Sequence, residues 1–423
     1  MALLWGPILA AIAIPAQTEL DRCLDLPQPQ EAVQVASRRR GAPTQILLTS
    51  QNWMGNVWKH DVRIQQPKRR RHTRTALLFV TGGDANPADL QNTQKMADLS
   101  GMPVVTLFHI PNQPLYGKTE DALIAHTIEQ YLKTGDSKWP LLFPMVKSVD
   151  ATMDAVVRSF RRTRTPISKF VVFGASKRGW ATWLSASTGD PRIVGIAPQI
   201  FDNLGIKDQM SHQKHLWGRY SDEIADYEKN GLLDILESPP GKKLLSMLDP
   251  LAYKSRWNCP VLMVNGANDP YWATDSLIRY WDKIPVQKNV SVMPNLGHEF
   301  GDHVRSNAAI SAFAASCAGE ITFPSLRLYR KRDRGGSMVS KVQSSAPGTL
   351  RLVYANSKSL DFRKSKWKSV TIATLADSTL SKSMMERSIP RPDEFHFRAY
   401  YYDVEYKIGR HKFWLSTPPI ISY

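Results

Sequence analysis

Six short, mostly apolar runs, at 75–80, 104–110, 170–173, 193–197, 261–264 and 290–293, alternate with stretches of helical periodicity. Such a run without polar alternation marks a strand buried on both faces, which is the condition of a parallel sheet covered by helices. Helical periods at 88–99, 121–133, 146–161 and 302–315 supply that cover. Strands that alternate with helices need crossover connections, so the pattern predicts an α/β class built on a mostly parallel sheet flanked by helices. Ahead of it, 45–52 and 57–66 read as two strands joined at Met54-Gly55-Asn56, an antiparallel hairpin edging the sheet.

Two segments break the alternation. Residues 202–256 are too long for a strand-to-strand connection and read as helices at 205–220, 221–229, 231–236 and 241–248, a helical cap over the sheet. From about 321 the chain turns to short alternating runs, at 326–329, 350–354, 369–373, 396–406 and 412–416, which predict a C-terminal antiparallel β-sandwich-like domain. The division is then a signal peptide at 1–16, a linker at 17–44, a main domain at 45–320 and a β-rich domain at 321–423.

The apolar run Leu3 to Ile14, followed by Pro15 and Ala16, has signal-peptide length and is too short to span a bilayer. It predicts an exported protein without a stable membrane anchor; a frayed apolar terminus is the alternative, since no Lys or Arg precedes the run. Lys and Arg number 55 against 38 Asp and Glu, a net charge of +17. The cations at Arg38 to Arg40 and at Lys68 to Arg71 flank strands without forming one aromatic-laced stripe, so a basic surface is expected and nucleic-acid binding is not. Three cysteines are too few for a disulfide framework or a zinc cluster. His212 and His215 find no third ligand, so no metal and no cofactor are expected.

Ligands on parallel sheets sit where strands end at their carboxyl edge. After 75–80 comes Thr81-Gly82-Gly83-Asp84, whose glycine amides can face an oxyanion. After 170–173 comes Gly174-Ala175-Ser176-Lys177-Arg178-Gly179-Trp180, with the glycine, serine and following helical period of a nucleophile elbow. Asn268-Asp269-Pro270 follows 261–264, and Pro294-Asn295-Leu296-Gly297-His298 follows 290–293. Each of these has an ordinary reading as a capping serine, a turn or a surface histidine. Together they stand in the order Ser176, Asp269, His298, each just past a strand, which is the order of α/β-hydrolases. A serine hydroxyl becomes a nucleophile when a neutral imidazole takes its proton, and a buried carboxylate fixes that imidazole's tautomer. The amides of Lys177 and Gly83 are the candidates for the oxyanion hole.

The chain resembles the PhoPQ-activated pathogenicity-related proteins, a secreted bacterial branch of the α/β-hydrolases. The resemblance rests on Thr81-Gly82-Gly83, Pro111-Asn112-Gln113-Pro114, Thr119-Glu120-Asp121-Ala122 with Ile124-Ala125, and Trp139-Pro140-Leu141-Leu142 with Pro144-Met145. It continues through the elbow, Asp249-Pro250, Asn268-Asp269, Tyr280-Trp281, Pro294-Asn295 with His298, and Asp361-Phe362-Arg363. It implies a secreted or periplasmic serine-hydrolase-like protein with a helical cap, carries the triad onto Ser176, Asp269 and His298, and supplies no substrate. The elbow has Arg178 where a small residue is usual, a turn similar to that of glucuronoyl esterases, which suggests positive charge from Lys177 or Arg178 at the substrate. Glu120 and Asp121 admit two readings: carboxylates that hold a substrate amine, as in related dipeptidyl peptidases, or first-turn acids of a helix capped by Thr119. Trp217 and Tyr220 are candidate pocket residues from the cap. The functions that follow are an esterase acting through an acyl-enzyme, a peptidase with the same triad, or a secreted binding or signalling protein on a hydrolase fold.

Overall fold

The computed structural model describes residues 17–27, 30–35, 43–71, 74–299, 303–332, 338–375, 381–385 and 396–422. The apolar run at 3–14 and the cations at 38–40 lie outside them.

The first half runs α1 (Glu19–Asp25), β1 (Glu31–Val35), β2 (Thr44–Trp53), β3 (Asn56–Gln65), β4 (Thr75–Val80), α2 (Pro87–Ser100), β5 (Val104–Leu107), α3 (Glu120–Thr134), α4 (Leu142–Phe160), β6 (Lys169–Ala175), α5 (Lys177–Ala186) and β7 (Ile193–Gln199). The cap follows as α6 (Ile206–Trp217), α7 (Ala225–Lys229) and α8 (Pro239–Leu248), and the sheet resumes with β8 (Val261–Gly266), α9 (Ile278–Trp281), β9 (Lys288–Met293) and α10 (Val304–Cys317). Beyond it come β10 (Leu326–Arg332), β11 (Met338–Ser344), β12 (Gly348–Ser357), β13 (Lys368–Leu375), β14 (Ser381–Met385), β15 (Phe397–Ile408), β16 (His411–Ser416) and β17 (Ile420–Ser422).

The sheet order is β1-β2-β3-β5-β4-β6-β7-β8-β9-β16-β15-β12-β13, with β17 beside β15. From β5 to β9 the pairings are parallel; the flanks are antiparallel. The apolar runs lack alternation because both faces are covered. Along β6, Phe170 and Val172 point into one layer with α4 and α5, while Val171 and Phe173 point into the other with α2 and α10. Local signals set the ends of these elements. The β2–β3 turn is Met54-Gly55 at φ 50° and 81°, the positive pair that matches strand twist. Helix α2 starts on Asn86, whose side chain accepts from the Asp89 amide, and stops on Gly101 at φ 70°.

Three expectations need correction. Residues 17–44 are more than a linker: α1 is closed by a Thr18/Asp21 capping box and tied to the cap's end by Arg256, while β1 pairs with β2 and so takes the edge from the hairpin. The strand expected over 104–110 ends at Leu107, because the chain there turns back to the loop after β4, the Ile110 amide donating to the Thr81 carbonyl (3.0 Å). Residues 231–236 are turns opened by Gly231 at φ 67°, not a helix.

The C-terminal strands divide. Strands β10, β11 and β14 form a small sheet whose Leu326 and Val342 share one apolar cluster with Leu350, Tyr400 and Tyr406 of the facing strands. Strands β12, β13, β15 and β16 continue the main sheet, and the join is at β9: Ser416 pairs with Val290, and its Oγ accepts from the Val292 amide (3.0 Å). Two cations of the 68–71 cluster serve the framework, Lys68 pairing with Asp98 and Arg71 with Glu320. The three cysteines are free, and among the described residues no helix is long and apolar enough to cross a membrane.

Candidate active site

Strand β6 passes into α5 through one residue, Ser176, at φ 56° and ψ −124°. A residue with a Cβ occupies such a conformation only under constraint, at a cost of about 1–3 kcal/mol. The constraint is visible: the Ser176 amide donates to the Gln199 carbonyl (2.9 Å) and its carbonyl accepts from the Trp180 amide (2.9 Å). Two glycines let strand and helix close this tightly. A Cβ on Gly174 would lie 2.9 Å from the Val80 carbonyl oxygen, and one on Gly179 would lie 2.8 Å from that of Gln199. The second contact explains why the motif's last glycine falls at 179. The Ser176 side chain makes no capping bond to α5, which sets aside its reading as a capping serine.

Asp269 follows β8 and is 6% exposed; its carboxylate receives the Tyr271 amide (2.9 Å) and His298 Nδ1 (2.9 and 3.0 Å to the two oxygens). Donation from Nδ1 leaves the Nε2 lone pair as the basic position. Nε2 is buried with no hydrogen-bond partner among the described residues, and no bond to Ser176 Oγ is formed in this structure. The Tyr271 ring stacks on the imidazole at 4.0 Å and 27° and also lines the cavity that opens over Ser176, so serine, tyrosine and histidine share one locale.

The loops bearing Asp269 and His298 are fastened from the C-terminal region. Asn268 Nδ2 donates to the carbonyls of Ser365 (2.8 Å) and Arg363 (3.1 Å). Asn295 pairs with the Trp367 backbone in both directions, accepting from its amide at 2.7 Å and donating to its carbonyl at 3.0 Å.

The two cations beside the serine are already partnered. Arg178 gives Nη1 and Nη2 to the two oxygens of Glu120 (2.8 and 2.7 Å) and Nε to the Ile110 carbonyl; Lys177 Nζ lies 2.8 Å from Glu120 and 3.3 Å from Asp121. Burial opposes ionisation of Glu120, but the bonds and charge of Arg178, then of Lys177, outweigh it and hold the carboxyl down at about 2. Asp121 also accepts from the Tyr227 hydroxyl (3.0 Å). Thr119 makes no side-chain cap; Glu120, at φ 51°, is held instead through its amide by Gln113 Oε1 (2.8 Å).

The cavity over Ser176 opens to solvent, and its wall includes Trp180, Phe201, Trp272 and Met210 with Asp121 and Asn203. Of the residues nominated from sequence as substrate contacts, Lys177 and Asp121 line this wall, whereas Arg178, Glu120, Trp217 and Tyr220 stand elsewhere. Arg178 and Glu120 face one another rather than this wall. Trp217 lies under the Arg363 guanidinium at 3.9 Å, and Tyr220 under Lys214 Nζ at 4.3 Å, so both brace the cap. Asp121, one of the two carboxylates the sequence offered, does line the wall; Tyr227, Tyr271, Trp272 and Asn203 were missed, and of these only Tyr271 and Trp272 carried a signal, as aromatics directly after a strand-end acid. His212 Nε2 meets Asp275 at 2.7 Å, and among the described residues no three metal-ligating side chains gather.

A second carboxyl, Asp202, is buried near Asp269 and accepts from the Tyr280 hydroxyl (2.5 Å). Burial raises it, the Tyr280 bond lowers it, and the charges of Asp269 and Asp275 raise it further, to about 7.

A sheet that enters antiparallel, reverses at β4 and runs parallel to β9, with a strained turn behind its central strand and a helical insert after β7, is an α/β-hydrolase. The chain belongs to the PhoPQ-activated pathogenicity-related protein family, whose model matches residues 29–363. That match ends at Arg363, one of the residues that fasten the Asp269 and His298 loops. Autocrine proliferation repressor protein A of Dictyostelium discoideum is 34% identical over 275 residues, covering 60% of this chain and 55% of that one. Dipeptidyl aminopeptidase BIII of Pseudoxanthomonas mexicana is 23% identical over 197 residues, covering 45% of this chain and 27% of that one. The chain thus spans about half of the first relative's length and about a quarter of the second's. Among solved structures, an acetyl xylan esterase from a Thermoanaerobacterium species is similar at 15% identity and a TM-score of 0.45, over 71% of this chain and 92% of that one.

Proposed function

We propose that the protein is an exported serine hydrolase that cleaves an ester through an acyl-enzyme. Ser176 Oγ attacks the ester carbonyl as its proton passes to His298 Nε2, and Asp269 stabilises the imidazolium that results. The amides of Lys177 and Gly83 receive the tetrahedral oxyanion. Its collapse expels the alcohol, which takes the proton from Nε2, and water then repeats the sequence to free the acid and Ser176. The observation that carries this reading is the Asp269–His298 pair, which leaves a buried Nε2 without a partner among the described residues, in the locale of an uncapped serine at a strained turn.

The carboxylates argue for an ester over a peptide amine. Both oxygens of Glu120 are occupied by Arg178 and Lys177, and Asp121 is shared between Lys177 and Tyr227, so the cluster's charge is internally balanced.

A fluorophosphonate probe should label the wild type and not Ser176→Ala. Absence of labelling in folded wild type would overturn the enzyme and leave the binding protein. Export rests on the run at 3–14; N-terminal sequencing of protein recovered outside the cytoplasm should find that run removed, and cytoplasmic protein that retains Met1 would overturn it.

A further inference from the structure

We infer that the cavity over Ser176 selects esters of an aromatic acid bearing a hydroxyl group, an inference that rests on the serine-hydrolase reading. Five aromatic residues line the wall, Trp180, Phe201, Tyr227, Tyr271 and Trp272; among them Trp180 stacks on Phe201 (5.2 Å between centroids, 21° between planes), and Trp272 stands edge-on to Phe201 (5.9 Å, 76°). Trp180 and Trp272 have their ring nitrogens tied off, to the Leu248 carbonyl at 2.6 Å and the Ile200 carbonyl at 3.1 Å, so they offer the ligand their apolar surfaces. Met210 of α6 lies against the same space as an adaptable apolar filler. A flat apolar group is what such a wall accepts; an acetyl group leaves most of it facing water.

One buried polar atom in that wall lacks a partner among the described residues. Asn203 is 6% exposed, and its Oδ1 is buried without a hydrogen bond. A buried acceptor in this condition is costly until a donor arrives, and a site built around it favours the ligand that brings one. The donor is neutral, because the charged side chains of the wall among the described residues, Asp121 and Lys177, already face each other at 3.3 Å. A hydroxyl on the ring meets both requirements. The ring belongs to the acyl half, since the acyl group stays bonded to Ser176 through both chemical steps and Ser176 forms part of the wall.

The test compares methyl esters of acetic, 3-phenylpropanoic and 3-(4-hydroxyphenyl)propanoic acids. Ring burial should raise kcat/KM about 30- to 100-fold over acetate. The hydroxyl should add roughly tenfold, and Asn203→Leu should bring that second ratio to near one. In parallel, calorimetry on Ser176→Ala should show the hydroxylated acid binding about tenfold more tightly than its plain analogue, a readout independent of how the Asn203 variant folds. Equal kcat/KM for acetate and phenylpropanoate would overturn the inference, as would a hydroxyl ratio that persists in a folded Asn203→Leu or equal binding of the two acids. Labelling of Ser176 by a small fluorophosphonate separates the two levels: a labelled protein without aryl preference loses this inference alone, and an unlabelled one loses the hydrolase.

Discussion

The Arg178 guanidinium occupies the space that a side chain on Gly82 would need: a Cβ built there would lie 2.0 Å from Nη2. The loop after β4 and the first turn of α5 are thereby keyed together, with Glu120 and the Ile110 carbonyl holding the arginine in the slot. The contacted atom ends a flexible side chain, but moving it breaks these bonds. Gly82→Ala should therefore destabilise the protein by about 1–3 kcal/mol in urea unfolding and slow fluorophosphonate labelling, because the neighbouring Gly83 amide shifts with the loop. An unchanged urea midpoint would show that the arginine relocates freely.

Asp269→Asn keeps the shape of the acid but removes the charge that fixes Nδ1 as the donor. A fall in kcat of about 10⁴ is expected, as for acids in this role, with the urea midpoint little moved. A fall below tenfold would place the acid elsewhere.

Glu120→Gln leaves Lys177 and Arg178 facing one another with a single carboxylate, Asp121, near the lysine. The Glu120 side chain is 42% exposed, so solvent screening reduces the penalty, and a loss of about 1–2 kcal/mol is expected, smaller at high salt. Acid acts alike: the carboxyl held at about 2 contributes stability present above its ordinary 4.5 and lost as pH falls from 4.5 toward 2.

Asp202 has the opposite sign. Its folded value near 7 exceeds its ordinary 3.8, so the native state binds the extra proton between those values and stability falls as pH rises through that window. Asn mimics the protonated acid. Asp202→Asn should match the wild type near pH 4 and exceed it by about 2–4 kcal/mol at pH 7.5 in urea titrations. Buried His60, pushed by desolvation down to about 4 with the Phe108 carbonyl on its Nδ1 opposing, loses stability as pH falls from 6.5 to 4 and offsets the Asp202 slope over that range. A wild-type curve flatter there than the variant's is the accompanying sign.

Asn295→Ala removes both bonds to the Trp367 backbone while leaving His298 and its partner in place. The looser loop should lower kcat about tenfold with KM nearly unmoved, as when a positioning contact is lost. Equal loss in an Asn295→Asp variant, which keeps the acceptor, would assign the effect to the donated bond alone.

What the sequence displayed was local. Runs covered on both faces announced the parallel strands, and Ser176, Asp269 and His298 could be singled out because each stands directly after one. What it hid depends on contacts between distant segments. Nothing in Gly82 announces Arg178, and nothing in Asn268 or Asn295 announces residues 362–367. Trp217 and Tyr220 were nominated because aromatics on a cap helix look alike whether they meet a ligand or a neighbour; the partners that claimed them, Arg363 and Lys214, decide the matter. The cations at 177 and 178 drew attention as unpaired charge, since Glu120 approaches them only after a long excursion through α3 and α4.

The fastening of the Asp269 and His298 loops by residues 363–367, together with the β9–β16 join at Ser416, gives the protein a temporal order. The strand-to-helix turn at Ser176 is complete once β7 has been made, yet the loops of Asp269 and His298 are held in place by residues made well after it. Synthesis proceeds from the N-terminus, so Ser176 leaves the ribosome before residues 363–367, which fasten the Asp269 and His298 loops. The loops that carry Asp269 and His298 are thus secured only after the core around Ser176 has had the opportunity to close.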